Sequence, residues 1–181
     1  GLVVDRPGEY VDARSATNIR NMETNRAIIR KRTGTLALGS SMSERVMRMF
    51  ELRVGALTRL FRVGLTKVEV YNKSTDQWAS VTSTALTGLP EDPLNIAYPV
   101  LSGEKIAVYT NGIDAIRKCS ITGNDAALGG NPPVCKYVHA YGPYLVLANI
   151  VDDGAGNSYP CRVQWCNTGD PETWTGAETD A

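Results

Sequence analysis

The sequence predicts an all-β protein made of antiparallel four-stranded meanders, and three observations carry that expectation. Period-2 alternation recurs along the chain, most clearly in Lys67-Val68-Glu69-Val70-Tyr71, and such alternation sends successive side chains to opposite faces of a strand. Turn formers are abundant, with 17 Gly and 9 Pro in 181 residues, as a fold of many short strands requires. Finally, one combination of strand, polar turn and returning tryptophan is well defined near the end and echoed twice upstream. In residues 161–176, CRVQWCNTGDPETWTG, Arg162-Val163-Gln164-Trp165-Cys166 reads as a strand with polar side chains outward and apolar ones inward. Asn167-Thr168-Gly169-Asp170-Pro171 then supplies turn chemistry, and Trp174 returns to pack its large face against the strand just left.

Taken in order, residues 1–44 read as an N-terminal arm and hairpin. Pro7-Gly8 marks a turn, residues 16–22 a strand, Glu23-Thr24-Asn25 a turn and residues 26–34 the return. Residues 36–43 are a linker of small side chains. The first sheet unit spans about 45–92. Ser43 offers a helix cap for residues 43–52, but the β-branched and aromatic content there predicts strand. Gly55-Ala56-Leu57-Thr58 fits a hairpin turn, Arg59-Leu60-Phe61-Arg62-Val63 a strand, and residues 67–71 the next. Residues 72–76 turn, and Gln77-Trp78-Ala79-Ser80-Val81 returns.

The second unit spans about 93–131. Ser102-Gly103-Glu104 is a tight turn, residues 105–109 a strand, Thr110-Asn111-Gly112 a hairpin turn and residues 113–117 the next strand. Its returning edge, Ile121 and then residues 126–128, has no Trp. The third unit spans about 132–181. Residues 136–141 form a strand, Gly142-Pro143 a turn, and Tyr144-Leu145-Val146-Leu147-Ala148-Asn149-Ile150, the most apolar run, the strand expected to be most buried.

Phe61, Ala107 and Val146 mark the centres of matching strands, 46 and 39 residues apart. A period near ~40–45 with about four strands per unit is the spacing of β-propeller blades, whose sheets stack radially because none can bury both faces alone. Three units are too few for a ring, since propellers need about 4–8 blades. The expectation is therefore a partial propeller belonging to a longer chain, with the N-terminal hairpin helping to seal it. Gly at residue 1 is not expected to be a translation start, so either processing or an incomplete chain is expected.

Composition sets outer bounds. Hydrophobic content of 43% and charged content of 21% suit a globular protein, and no run approaches the ~18 apolar residues of a membrane span. The formal net charge of +0 hides a split: residues 1–62 hold 12 Lys/Arg against 6 Asp/Glu, and residues 63–181 hold 7 against 13. A basic first part can mark an anionic partner such as nucleic acid, or simply solvated strand faces. The four cysteines, Cys119, Cys135, Cys161 and Cys166, are too sparse for a disulfide-dependent fold and are expected as reduced, mostly buried thiols.

The ordered landmarks also resemble those of a known group. Ala16-Thr17-Asn18-Ile19-Arg20 followed by Arg30-Lys31-Arg32-Thr33-Gly34-Thr35 resembles the opening of β-propeller-containing tail hub and nozzle proteins of short-tailed bacteriophages, where a "DARN-v-R … RKRPGT" hairpin leads into the propeller. Gly142-Pro143-Tyr144-Leu145-Val146-Leu147-Ala148-Asn149, Arg162-Val163-Gln164-Trp165 and Gly169-Asp170-Pro171-Glu172-Thr173-Trp174 resemble a later blade of the same group. Thr33 stands where that group commonly has proline, and Cys166 where it has a small polar residue. The resemblance implies a homo-oligomeric structural component of the virion tail, assembled in the host cytoplasm with other tail and head–tail connector proteins around the DNA exit channel. It implies no chemistry and no cofactor.

The residues themselves offer little for catalysis or metal binding. His139 is the only histidine, so neither a Ser-His-Asp triad nor a zinc set can be assembled around it with any specificity. Phosphate-binding glycine motifs are missing. Asp152-Asp153-Gly154-Ala155-Gly156-Asn157 lacks the ligand spacing of a calcium loop. Glu91-Asp92 and Asp170 with Glu172 are the carboxylate pairs a glycosidase would need, though turn capping explains each. The remaining candidates are Arg26, Arg30, Lys31 and Arg32, on a strand that puts Arg30 and Arg32 on one face. They fit either non-specific contact with DNA phosphates or ion pairs with a neighbouring subunit. Trp78, Trp165 and Trp174 are expected as blade-packing residues. A carbohydrate- or receptor-binding β module of a virion, using exposed Tyr and Trp, is the alternative reading, and a hydrolase on a propeller a third.

Overall fold

Short alternating segments pair with their nearest neighbours along the chain. The computed structural model describes residues 22–25, 28–31, 37–174 and 179–180, and among these every regular element is a β-strand. The chain divides into two compact units, Gly1–Ala37 and Leu38–Ala181.

The first unit contains a hairpin of β1 (Met22–Asn25) and β2 (Ile28–Lys31), antiparallel with Met22 opposite Lys31 and Asn25 opposite Ile28. Glu23, Thr24 and Asn25, expected to turn, are strand instead. Pairing runs on until only two residues separate the strands, the connection that best suits strand twist. Residues 16–21, where the rest of the expected first strand falls, lie outside the described residues.

The second unit holds three four-stranded antiparallel sheets. Sheet 1 is β3 (Arg48–Val54), β4 (Leu57–Val63), β5 (Val68–Asn72) and β6 (Gln77–Ser80), paired in chain order. Its first turn is shorter than expected: Val54 pairs Leu57, so Leu57 and Thr58 join the strand, and Gly55 takes the left-handed φ of 56° that a two-residue turn demands. Sheet 2 is β7 (Asn95–Ala97), β10 (Ala107–Thr110), β11 (Arg117–Cys119) and β12 (Ala126–Ala127). Between β7 and β10 the chain makes a separate small hairpin, β8 (Val100–Leu101) and β9 (Glu104–Lys105). Sheet 3 is β13 (Val134–Tyr141), β14 (Tyr144–Asp152), β15 (Tyr159–Trp165) and β16 (Thr179–Asp180), again in chain order.

Residues 113–116, expected as strand, form a loop. The Asn111 side-chain carbonyl accepts from the backbone N–H of Ile113 and Asp114, at 3.1 and 2.9 Å, and Asp114 accepts from the Thr87 N–H and hydroxyl. Those local bonds take donors a ladder would otherwise use, so pairing resumes only at Arg117.

Phe61, Ala107 and Val146 fall on β4, β10 and β14, the second strand of each sheet. The sheets pack face to face in chain order. Phe50, Leu52, Phe61, Val63, Val68 and Val70 of sheet 1 meet Ala107, Tyr109 and Cys119 of sheet 2 in one core, where the rings of Phe50 and Phe61 stack at 5.0 Å. Ala97, Val108 and Ile116, on the other side of sheet 2, meet Cys135, Val138, Leu145, Leu147 and Ile150 of sheet 3 in a second core. Full burial of each large aliphatic side chain contributes about 1.5–3 kcal/mol. Because sheet 2 is covered on both faces, β10 is buried at all four positions. In β14, expected to be the most buried strand, Leu145, Leu147 and Ile150 are buried while Tyr144, Val146 and Ala148 are only half-buried. The difference is one covered face against two.

The strand Arg162–Trp165 is oriented opposite to expectation. Gln164 lies across from Leu147, on the side packed against sheet 2, whereas Val163 and Trp165 lie across from Ala148 and Val146 on the outer face. The β13 pairing continues these rows, with His139 opposite Val146, Tyr137 opposite Ala148, and Tyr141 opposite Tyr144. Register with β14 decides the matter, because residues opposite one another in a ladder share a face.

Candidate functional site

The buried charged side chains described in Leu38–Ala181, Arg62, Glu69, Arg117 and Asp125, are all held in structural bonds. The largest such cluster joins sheets 1 and 2. Arg117 on β11 and Asp125, in the β11–β12 connection, are 6% and 1% exposed. Arg117 Nε donates to both Asp125 oxygens at 2.9 and 3.0 Å, its Nη2 reaches Asp125 Oδ2 as well, and Nη2 also donates to Ser83 Oγ at 2.6 Å. The Tyr109 hydroxyl donates to Asp125 Oδ1 at 2.6 Å, and the Asp125 N–H donates to the Val81 carbonyl at 3.1 Å. Burial, then the Asp125 charge, pushes the Tyr109 phenol well above its usual value, while the bond to Asp125 raises the Arg117 guanidinium. A neutral phenol and a permanent guanidinium are hydrogen-bond donors, not proton shuttles. Beside them, Arg59 Nη1 donates to the carbonyls of Ser120, Ile121 and Gly123 at 3.3, 3.2 and 2.8 Å. The sequence gives no spacing or motif that singles out Asp125, which sits in a turn-like TGND run.

The turn after β15 ties sheet 3 to sheet 2. Asp170 accepts from the Glu172 N–H at 2.9 Å and the Thr173 hydroxyl at 2.7 Å, and these bonds hold its carboxyl below the usual value. Glu172 Oε1 accepts from Lys118 Nζ at 2.6 Å and the Gly129 N–H at 2.8 Å. Asp92 accepts from the Leu89 N–H at 2.6 Å. Asp152 and Asp153 bond the backbone N–H groups of residues 154–157 within their own loop. Asp92, Asp170 and Glu172 thus cap and staple backbone, and among the described residues there is no group of three or more His, Cys, Asp and Glu placed to hold a metal ion.

The three tryptophans occupy three different environments. Trp174 is 9% exposed and belongs to the core between sheets 2 and 3, close against Gly130. Trp78 lies on the outer face of sheet 1, its ring centroid 4.2 Å from the Arg62 guanidinium and its Nε1 donating to the Leu38 carbonyl at 2.7 Å. Below it Arg62 Nε donates to Glu69 at 2.7 Å, and Arg62 Nη1 donates to the Ser40 carbonyl. Glu44 then caps the β4–β5 turn by accepting from the Thr66 N–H, the Thr66 hydroxyl and the Lys67 N–H. The chain's own segment 38–44 therefore runs as a strap over the outer face of sheet 1. Trp165 stands on the outer face of sheet 3 beside Val146.

Of the basic candidates, Arg30 and Lys31 are on β2, opposite Glu23 and Met22. Arg26 and Arg32 lie outside the described residues. His139 is exposed on β13. No described helix is long and apolar enough to cross a membrane.

All four cysteines are free; Cys119, Cys135 and Cys166 are buried and Cys161 is exposed. Burial pushes the Cys119 and Cys135 thiols up to about 12 and raises Cys166. Because the thiolate is the reactive species, a thiol reagent at pH 8 is expected to modify Cys161 rapidly and the other three only on unfolding. Rapid loss of more than one thiol in the native protein would contradict this packing.

No family model, curated protein or solved structure matches this chain.

Proposed function

We propose that the chain is a structural component of a bacteriophage tail, of the hub or nozzle type, whose sheets serve as β-propeller blades in a symmetric assembly around the DNA exit channel. The observation that supports this reading most is the serial stack: three four-stranded meanders in chain order, with Phe61, Ala107 and Val146 on the second strand of each. Such a stack builds shape. Its buried charges are held in internal pairs, Arg62 with Glu69 within sheet 1 and Arg117 with Asp125 within sheet 2, and this favours a non-enzymatic role. Arg26, Arg30, Lys31 and Arg32 would meet DNA phosphates or acidic groups of a neighbouring subunit. Its partners would be other tail and head–tail connector proteins, and its place the virion tail, after assembly in the host cytoplasm.

Co-expression with those tail proteins tests the reading. The expected result is a ring-sized complex by native mass spectrometry that contains this chain. A chain that never enters such particles, or that cleaves polysaccharide alone, would overturn it. If the basic hairpin touches DNA, affinity falls steeply with salt.

A carbohydrate-binding module is favoured by one feature, the exposed Tyr137 and Tyr141, at 51% and 72%. Sugar rings also need hydrogen-bonding groups around the stacking platform, and these two tyrosines share their face with Val146, Ala148 and Val163. A glycan-array signal abolished by Tyr141→Ala would decide for that reading.

A further inference from the structure

Residues 38–44 cross the outer face of sheet 1 without joining its ladder. Among the described residues no backbone–backbone hydrogen bond ties this segment to the sheet. The first along the chain runs from the Met47 N–H to the Val63 carbonyl, where the chain enters β3. Side chains hold the segment instead, at three points. Trp78 Nε1 donates to the Leu38 carbonyl at 2.7 Å, and Arg62 Nη1 donates to the Ser40 carbonyl at 2.9 Å. The Glu44 carboxylate accepts from the Thr66 N–H, the Thr66 hydroxyl and the Lys67 N–H at 3.0, 2.7 and 3.2 Å. Little apolar surface is buried in return: Leu38 is 47% exposed, and only Gly39, Met42 and Glu44 of the seven are even half-buried. Beneath the segment lie Arg62 and Glu69, 6% and 8% exposed. Charges taken out of water carry a desolvation penalty that pairing offsets only in part. Opening the segment returns water to both while their own bond, Arg62 Nε to Glu69 Oε2 at 2.7 Å, stays in place.

We propose that residues 38–44 form a lid that opens as one piece over Trp78 and the Arg62–Glu69 pair, with Glu44 as its pin and residues 45–46 as its hinge. A segment with few apolar contacts, anchored by side chains, opens at a lower free energy than the ladder beneath it. That ladder keeps its pairing in either state, because β3, β4, β5 and β6 bond to one another and not to the lid. The pin fits because residue 64 is glycine. A Cβ there would overlap Glu44 Oε1 and lie 2.8 Å from Glu44 Cδ, and the three nearest atoms all belong to Glu44. Gly39 serves the other end, where a Cβ would come 2.8 Å from Trp78 Cδ1. Closed, the lid covers an indole and the guanidinium stacked on it, 4.2 Å from its ring centroid. Open, it presents both to solvent, so the lid sets whether the outer face of sheet 1 displays an aromatic and cationic surface.

Hydrogen exchange of the purified chain, followed by NMR, tests this. The Thr66 and Lys67 amides and the Trp78 indole N–H are expected to share one opening equilibrium and to exchange faster than the ladder amides of β4 and β5. Gly64→Ala, whose added Cβ meets only the end of a flexible side chain, expels the pin, and Glu44→Ala removes it. Each is expected to speed exchange of the Trp78 indole by about tenfold or more, as the loss of hydrogen bonds to a charged group implies. The ladder amides should not change. Trp78 holds the end of the lid opposite Glu44, so a Glu44 that merely capped the β4–β5 turn would affect Thr66 and Lys67 alone. That outcome, an indole no faster than the ladder amides, or ladder amides accelerated equally would overturn the proposal. The lid goes beyond the tail reading and does not rest on it; that reading falls on its own co-assembly experiment.

Discussion

Asp125→Ala is expected to lower the stability of the Leu38–Ala181 unit by about 3–5 kcal/mol, the cost of breaking a buried ion pair by removing one partner. The change leaves the Arg117 guanidinium 6% exposed with no counter-charge, and it deprives the Tyr109 hydroxyl and the Ser83 N–H of their acceptor. A loss of that size is a large fraction of the ~5–15 kcal/mol that holds a typical domain together. The double variant Arg117→Met/Asp125→Leu removes both charges and should lose much less than the single change, since the desolvation penalty disappears with the pair. Urea unfolding followed by tryptophan fluorescence reads both. If Asp125→Ala costs under about 1 kcal/mol, the network is solvated and does not join the sheets.

Gly130→Ala is expected to be nearly as damaging for a purely steric reason. Gly130 has a φ of 74°, and a Cβ there would overlap the Glu172 carbonyl oxygen, lie 2.7 Å from the Glu172 carbonyl carbon and 2.8 Å from Trp174 Cδ1. Left-handed strain at a non-glycine residue costs on the order of 1–3 kcal/mol, and forced displacement in a packed core about 1–3 more. Gly142→Ala separates the two contributions: its φ is 55°, but a Cβ there meets nothing within 4 Å. It should cost only the backbone part. Equal losses at the two positions would show that the turn carrying Glu172 is not clamped against sheet 2.

Much of the strand pattern was legible in the residues. Alternation in residues 67–71, the turn at Gly142-Pro143 and the preference for strand over helix before Leu52 all correspond to observed elements. These are local signals, set by side-chain period and by the φ demands of turns. Errors gathered where side chains compete with the ladder, as Asn111 and Asp114 do in residues 113–116. Others came where pairing extended beyond the turn signal, as at Glu23–Asn25 and Leu57.

The site was far less legible. Asp125 and Glu172 are ordinary turn residues in sequence, and they gain importance only by reaching groups 8 and 54 positions away, Arg117 and Lys118. Trp78, Trp165 and Trp174 look equivalent as returning aromatics, yet one lies under a strap, one on the outer face of sheet 3 and one between sheets.

By itself the sequence determined that this is a chain of antiparallel meanders of similar size, because strand period and turn chemistry act over a few residues. Only the tertiary structure decided which side of each strand is inside. A ladder shifted by one residue exchanges the two faces of a strand, and β15 was assigned its faces by its register with β14, not by its own alternation. That long-range choice is what puts Val163 and Trp165 on the outer face of sheet 3 and Gln164 on the inner one.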